Sequence, residues 1–314
     1  MKTIKKCNFC KSSNLKFLFY LKDKNFFVPG EFPILKCLAC KLILMGIIPN
    51  AKKIEKYYPK EYYSFNSIQT KEESVKTRLI IFMQGLHFDS GKKNYLLRLL
   101  SLPILPFIRG IIISPDKKLL DIGSGSGQFL YEMKQFGMEA EGLEPGNFDK
   151  ESSKKYNLNV KNTDLLGAKY PKEQFDIVTI NHVLEHVPNP EKIIKEMHRI
   201  TRKDGKLIVG VPNYHSLAFL LFGKNWYQLD VPRHFNNFSE KVLIKKLEES
   251  GFTVEKIRHN SRPTQFTISL FYFLNVNPKK HQIITNVLNI IFLPLAYIVN
   301  IIKWGDQIEI FCSK

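Results

Sequence analysis

The feature that most restricts what this chain can fold into is the run Leu119-Leu120-Asp121-Ile122-Gly123-Ser124-Gly125-Ser126-Gly127, followed 17 residues after its last glycine by Glu144. The apolar stretch KLLDI predicts a buried strand. Glycine at every second position then breaks it into a turn, and QFLYEMKQF resumes with helical periodicity. A side-chain-free turn at a helix N-terminus lets a ligand approach backbone amides closely. The acidic residue ending the next strand, Glu144 in EAEGLEP, is placed to accept from both hydroxyls of a ribose. The pattern predicts a nucleoside-binding crevice at the mouth of a doubly wound α/β sheet.

A dinucleotide site reads G-x-G-x-x-G, whereas this loop reads D-x-G-x-G-x-G. A carboxylate at Asp121 repels a pyrophosphate and suits a cationic ligand carrying an amino group. On these residues the chain resembles the class I S-adenosyl-L-methionine (SAM)-dependent methyltransferases, over residues 118–252 and again at the C-terminus. The resemblance implies SAM as cofactor and a Rossmann-like sheet of seven strands. It also implies cofactor contacts from Asp121, Gly123, Gly125, Gly127, Glu144, Asp164, Leu165 and Asn181, with Asp164 meeting the adenine amino group.

The later segments follow in α/β order, as a parallel sheet requires. Residues 159–165 read as a third strand ending in Asp164, and residues 175–180 as a fourth running into Asn181-His182-Val183-Leu184-Glu185-His186-Val187. Pro190 opens a helix whose Ile193, Ile194, Met197 and Ile200 share one face and are core. Asp204-Gly205 leads into a fifth strand at 206–211. A helix over 239–250 is stopped by Gly251 before a strand at 252–257. In the family the resemblance names, the seventh strand is antiparallel, and residues 306–312 are its candidate.

Four of the five cysteines form Cys7-x-x-Cys10 and Cys37-x-x-Cys40, with 26 residues between the pairs. Two such knuckles can present four thiolates tetrahedrally to a structural zinc that leaves no catalytic opening. A disulfide pair or free thiols are the competing readings, and disulfides need an oxidising compartment. The N-terminus, MKTIKKCNFCK, has no apolar h-region after its lysines, so a cytoplasmic location is expected. Cys312, alone on the last strand, is expected to be simply buried.

A zinc ribbon, then Tyr57-Tyr58-Pro59 and Glu61-Tyr62-Tyr63-Ser64-Phe65, then the SAM core is similar to methyltransferases of surface-polysaccharide clusters and to the sugar C-methyltransferases. In the latter a histidine after the fifth strand serves as base. The matching segment is residues 226–239, and His234 is the aligned residue. Methyl transfer to a hydroxyl or carbon acid needs a proton removed, for which a neutral imidazole near pH 7 is suited. His186, in the loop after the fourth strand, is the second candidate, with capping or packing of that loop as its competing role. The flanking Trp226, Tyr227, Phe235 and Phe238 can stack on sugar faces or pack a core. His182, Glu185 and His186 resemble the Glu, Glu, His metal ligands of ubiquinone-pathway O-methyltransferases. His182 in place of the first Glu argues against magnesium, a hard cation that prefers oxygen.

These readings divide the chain into a zinc-ribbon-like unit (1–60), a helical linker or lid (61–115), the SAM-binding core (116–260), an apolar helical insertion (261–305) and the last strand (306–314). The expected activity is O- or C-methylation of a small-molecule or glycan acceptor. A net charge of +18 raises RNA methylation by way of the ribbon as the alternative. The lysines are scattered, however, and Asn181-His182-Val183-Leu184 departs from the Asn-Pro-Pro-aromatic run of base amino-group methylases, so nucleic acid is not the expected partner. Intact Asp121, glycines, Glu144 and Asp164 argue against an inactive SAM-binding scaffold. Residues 283–302 are long and apolar enough to span a bilayer. Their Thr and Asn content and the return to the sheet favour a lid or a surface-lying helix in peripheral contact with a membrane.

Overall fold

The periodicities read from the sequence organise one large sheet and a smaller N-terminal one. The protein is described from a computed structural model covering residues 2–49, 54, 56–58, 68–72, 74–88, 94–146 and 148–314. The N-terminal part contains β1 (Lys2–Thr3), β2 (Leu15–Leu21), β3 (Phe32–Cys37), β4 (Ile43–Met45) and β5 (Ile47–Ile48). Then come α1 (Val75–Phe88), α2 (Tyr95–Leu100) and a 3-10 segment (Leu102–Phe107). Pro59 and residues 61–65 lie outside the described residues.

The core alternates β6 (Lys118–Ile122), α3 (Gln128–Lys134), β7 (Glu139–Leu143), α4 (Lys150–Lys155), β8 (Asn159–Lys161), β9 (Phe175–Asn181), α5 (Pro190–Ile200) and β10 (Thr201–Pro212). It continues through α6 (Leu217–Phe222), β11 (Asn236–Asn237), α7 (Glu240–Glu249), β12 (Thr253–His259), α8 (Thr264–Phe273), α9 (Gln282–Ile291), α10 (Leu293–Ile301) and β13 (Gln307–Ser313). The seven-stranded sheet runs β12–β13–β10–β9–β6–β7–β8, with β13 antiparallel to both neighbours. The other pairings in it are parallel. The reversal between β6 and β9 is the topological switch point, where the crevice of a doubly wound sheet opens at the carboxyl ends of the strands.

Apolar alternation explains both faces. Leu120, Ile122, Val178, Ile180, Leu207 and Val209 pack beneath α5 and α7. Leu119, Ile177, Ile208 and Phe311 pack with Phe129, Leu130 and Met133 of α3 on the other face. In α5 the expected stripe of Ile193, Ile194, Met197 and Ile200 is buried, each contributing about 1.5–3 kcal/mol. Ser239 caps α7 through Val242 N, and Gly251 follows its end at φ +98°. Cys312 is fully buried, and burial pushes its thiol up to about 12.

Two features were not foreseen. The apolar stretch 283–302 is two helices, α9 and α10, bent by 46°. Pro294 sits in the first turn of the second, where its missing N–H and fixed φ start a helix and cannot continue one. Second, β11 pairs with β4, so the N-terminal sheet takes its edge strand from the distant segment that follows His234.

Candidate active site

The glycine loop is demanded by its backbone. Gly123, Gly125 and Gly127 have φ of +73°, +54° and +85°, a region that L side chains rarely adopt. A Cβ at Gly123 would stand 2.2 Å from Val183 Cγ2 in the loop after β9. Gly123 N and Ser124 N donate to Leu143 O, which ties the loop to the end of β7. Gly125 N and Gly146 N each donate to one oxygen of Glu144 at 2.9 Å. Burial nevertheless pushes the Glu144 carboxyl up, the two amides working against it. Each oxygen keeps a further lone pair for an incoming hydroxyl.

The other cofactor candidates divide. Asp164 is exposed, and its Oδ1 accepts from Gly167 N at 2.7 Å, which closes a turn beyond β8. Leu165 beside it is core. Asn181 ends β9 with its Oδ1 over Gly210, where a Cβ would stand 2.1 Å away. Asp121 is 1% exposed, and its partners belong to the protein: Arg109 in a two-nitrogen contact (2.5 and 3.2 Å) and Thr179 Oγ1 at 2.7 Å. Arg109 also lies 3.6 Å over the Phe129 ring. The loop's negative charge is thus balanced by a cation from the segment ahead of β6, which the sequence pattern around the glycines did not disclose.

On the other side of the switch point the loop after β9 meets the segment after β10. Glu185, His186 and His234 bring one ligand atom each to within 4.8 Å of one another. The His186 and His234 rings meet edge to face at 4.6 Å. His234 Nδ1 lies 2.7 Å from Gln228 O, and a carbonyl only accepts, so Nδ1 donates to it and Nε2, 4.0 Å from Asp230 Oδ2, is the nitrogen left to accept a proton. His186 Nδ1 is 2.9 Å from Tyr58 Oη and 3.1 Å from Arg233 O. Burial holds His186 down to about 4, so it is neutral at pH 7. Burial would raise the Glu185 carboxyl, but the His182 hydrogen bond and the surrounding imidazoles outweigh it and lower it. His182 stands 3.3 Å from Glu185 Oε1, beside the triad and outside it.

The segment carrying His234 is held by the N-terminal sheet. Arg233, 0% exposed, donates to Asp23 (2.8 and 3.0 Å) and to Asp230 (2.7 and 2.8 Å). Met45 N donates to Phe235 O, and Asn8 Nδ2 to Asn236 Oδ1 and Pro188 O. Trp226, Phe235 and Phe238 are buried in this packing and offer no exposed sugar platform. Trp226 Nε1 instead donates at 3.3 Å to Asp306, whose carboxyl burial pushes up to about 7. Among these, Asp23 and Tyr58 were missed as site residues because only distant pairing brings them to Arg233 and His186. A cavity of about 410 Å³ lies past the end of β10, lined by Tyr214, His215, Phe219, Leu220 and Trp304.

The four N-terminal thiols converge. Cys7 and Cys40 Sγ are 3.7 Å apart, Cys10 and Cys37 Sγ 3.5 Å, and all four lie within 4.8 Å of one another. Thiolates 2.3 Å from a tetrahedral centre stand about 3.8 Å apart, so the cage has the size zinc requires.

The model of a methyltransferase-domain family matches residues 94–257. A relative named ubiquinone biosynthesis O-methyltransferase, from Pseudomonas fluorescens, is 28% identical over 155 residues, 45% of this chain and 66% of that protein. An uncharacterized protein of Methanocaldococcus jannaschii is 30% identical over 141 residues, 44% of this chain and 65% of its own. The chain therefore spans slightly less than two thirds of these relatives. Among solved structures, a SAM-dependent methyltransferase from Archaeoglobus fulgidus aligns with 74% of this chain and 99% of its own at 20% identity and a TM-score of 0.44. A cyclopropane synthase from Mycobacterium tuberculosis aligns with 85% and 99% at 14% identity and 0.47.

Proposed function

Since the chain belongs to the methyltransferase-domain family and is a SAM-dependent methyltransferase, we propose that it methylates an oxygen or carbon of a sugar or polysaccharide precursor, with His234 as the base. The observation that carries this reading is the joining of the four-cysteine sheet to the segment holding His234, through β4–β11 pairing and the Asp23–Arg233–Asp230 ion cluster. It supports the reading because the sequence resemblance to sugar-modifying enzymes rests on the same two features, the four cysteines and the histidine after the fifth strand. The name of the Pseudomonas relatives supports a small-molecule acceptor more broadly.

The glycine loop and the spare lone pairs of Glu144 fit a nucleoside with a free ribose. Bound there, SAM supplies a methyl group already activated on a sulfonium sulfur. Positioning then provides most of the rate enhancement. The remaining task falls to His234: Gln228 O fixes its tautomer, and Nε2 takes the acceptor's proton as the new bond forms. Edge-to-face packing against neutral His186 sets the ring's plane. Asp121 is expected to contact the SAM amino group as the resemblance implies, with Arg109 as its partner within the protein. The cysteine cage holds zinc, folding a sheet too small to sustain its own core.

The reading is tested with labelled SAM and a panel of nucleotide-linked and lipid-linked sugars. Glu144→Ala should weaken SAM binding by about tenfold or more, a lost charge-assisted hydrogen bond being worth roughly 1.5–3 kcal/mol. His234→Ala should leave SAM affinity intact while turnover falls by about 10²–10⁴. Full activity in His234→Ala would remove the base, and unchanged binding in Glu144→Ala would remove the cofactor site.

A further inference from the structure

A surface helix ordinarily turns its apolar stripe inward. Three elements of this chain do the reverse. On α9, Ile283, Ile284, Val287, Ile290 and Ile291 follow the i, i+1, i+4, i+7, i+8 spacing of one face, and all are exposed, Ile283 to 81%. The helix's buried residue is Thr285, whose hydroxyl bonds inward to His281 O. On α2 no residue is buried, although five of its six are Tyr or Leu, and Tyr95 is 71% exposed. The end of α10 and the turn after it expose Ile298, Ile301, Ile302 and Trp304.

These elements adjoin. Tyr297 of α10 donates to Pro103 O in the 3-10 segment that continues α2, and Arg262, ahead of α8, donates to Phe107 O at 3.3 Å. Leu217 N at the start of α6 bonds Trp304 O, which brings exposed Leu220 and Leu221 to the same margin.

Charge selects the occupant. Residues 94–113, 205–229 and 256–305 contain no Asp or Glu, while Lys224, Arg262, Lys279, Lys280 and Lys303 are exposed around the apolar face. A two-fold contact between copies would set these cations against their own kind. A surface of anionic lipid headgroups neutralises them and accepts the isoleucines. Among the described residues no single helix is long and apolar enough to cross a membrane, and α9, ten residues long, reaches only about 15 Å.

We propose that this face docks on an anionic bilayer, with α9 and α2 lying in the headgroup boundary and the flanking lysines on lipid phosphates. The test is co-sedimentation of the full chain with vesicles of phosphatidylcholine alone or with 30% phosphatidylglycerol (about 30%, chosen to give a surface potential that lysines sense). Binding should require the anionic lipid and weaken with salt. Ile283→Asp/Ile290→Asp should lower the partition coefficient by about tenfold or more, and Lys280→Glu/Lys303→Glu by a similar factor. Both pairs are exposed, so circular dichroism and SAM binding should be unchanged. No binding to the anionic vesicles, binding that survives both double variants, or a dimer that the isoleucine variant dissociates would each overturn the proposal. Because the assay involves no turnover, its failure leaves the methyltransferase reading standing.

Discussion

The two sides of the switch point are built in opposite ways. The proposed cofactor side draws its candidate residues, Asn181 at the end of β9 apart, from one continuous stretch, residues 121–165, in which each strand hands its end to the next turn. The acceptor side is assembled from Asn8, Asp23, Met45, Tyr58, the loop at 182–188 and the segment at 226–238. Local chemistry makes the first half: glycines at positive φ, an acidic strand end and a helix start. Long-range pairing makes the second, where a buried arginine with two carboxylates replaces what short-range turns would do. The difference teaches that damage to the N-terminal sheet should disable the acceptor side and spare the cofactor side.

Removing a cage thiol tests that separation most severely. Cys37→Ser should release the proposed zinc, measured by elemental analysis, and lower turnover by about a hundredfold or more, because a structural zinc site is folding free energy. SAM affinity, measured by calorimetry, should change by less than about threefold. Equal losses on both sides would show that the two halves fold as one unit and break the contrast.

Arg233→Leu is the next largest. It leaves Asp23 and Asp230 buried without their cation, a change that costs about 3–5 kcal/mol in denaturant unfolding. The companion Asp23→Asn/Arg233→Leu should recover part of that loss. A single variant as stable as the parent would mean that β4–β11 pairing alone holds the His234 segment.

The smallest effect is a pH dependence. His186 is held down to about 4, below the ordinary 6.5, so the unfolded chain protonates first as the solution is acidified. The stabilisation from its neutral ring is therefore complete above about pH 6.5 and is lost as pH falls toward 4, with an upper bound of about 3 kcal/mol. The slope of unfolding free energy against pH in that window should flatten in His186→Gln. An unchanged slope would assign the acid sensitivity to other buried groups.

How much could be read in advance follows the same division. The order of strands and helices, the α5 stripe and the convergence of four cysteines were legible because each depends on periodicity or short spacing, while the antiparallel last strand was expected from the family resemblance alone. Asp121 was legible as a charged residue but not as Arg109's partner, since nothing near residue 109 marks it as facing β6. The aromatics around His234 left two roles open. Burial of Trp226, Phe235 and Phe238 assigns them to packing, a matter of which neighbours enclose them.

The chain's own residue order carries the doubly wound sheet, the glycine loop and the acidic strand end, because backbone sterics and apolar alternation act over a few residues at a time. It does not carry the partner of β4, the ion cluster at Arg233, the pairing of His186 with His234 or the outward-facing isoleucines of α9. Those depend on which distant surfaces meet, and that is decided only when the whole core closes.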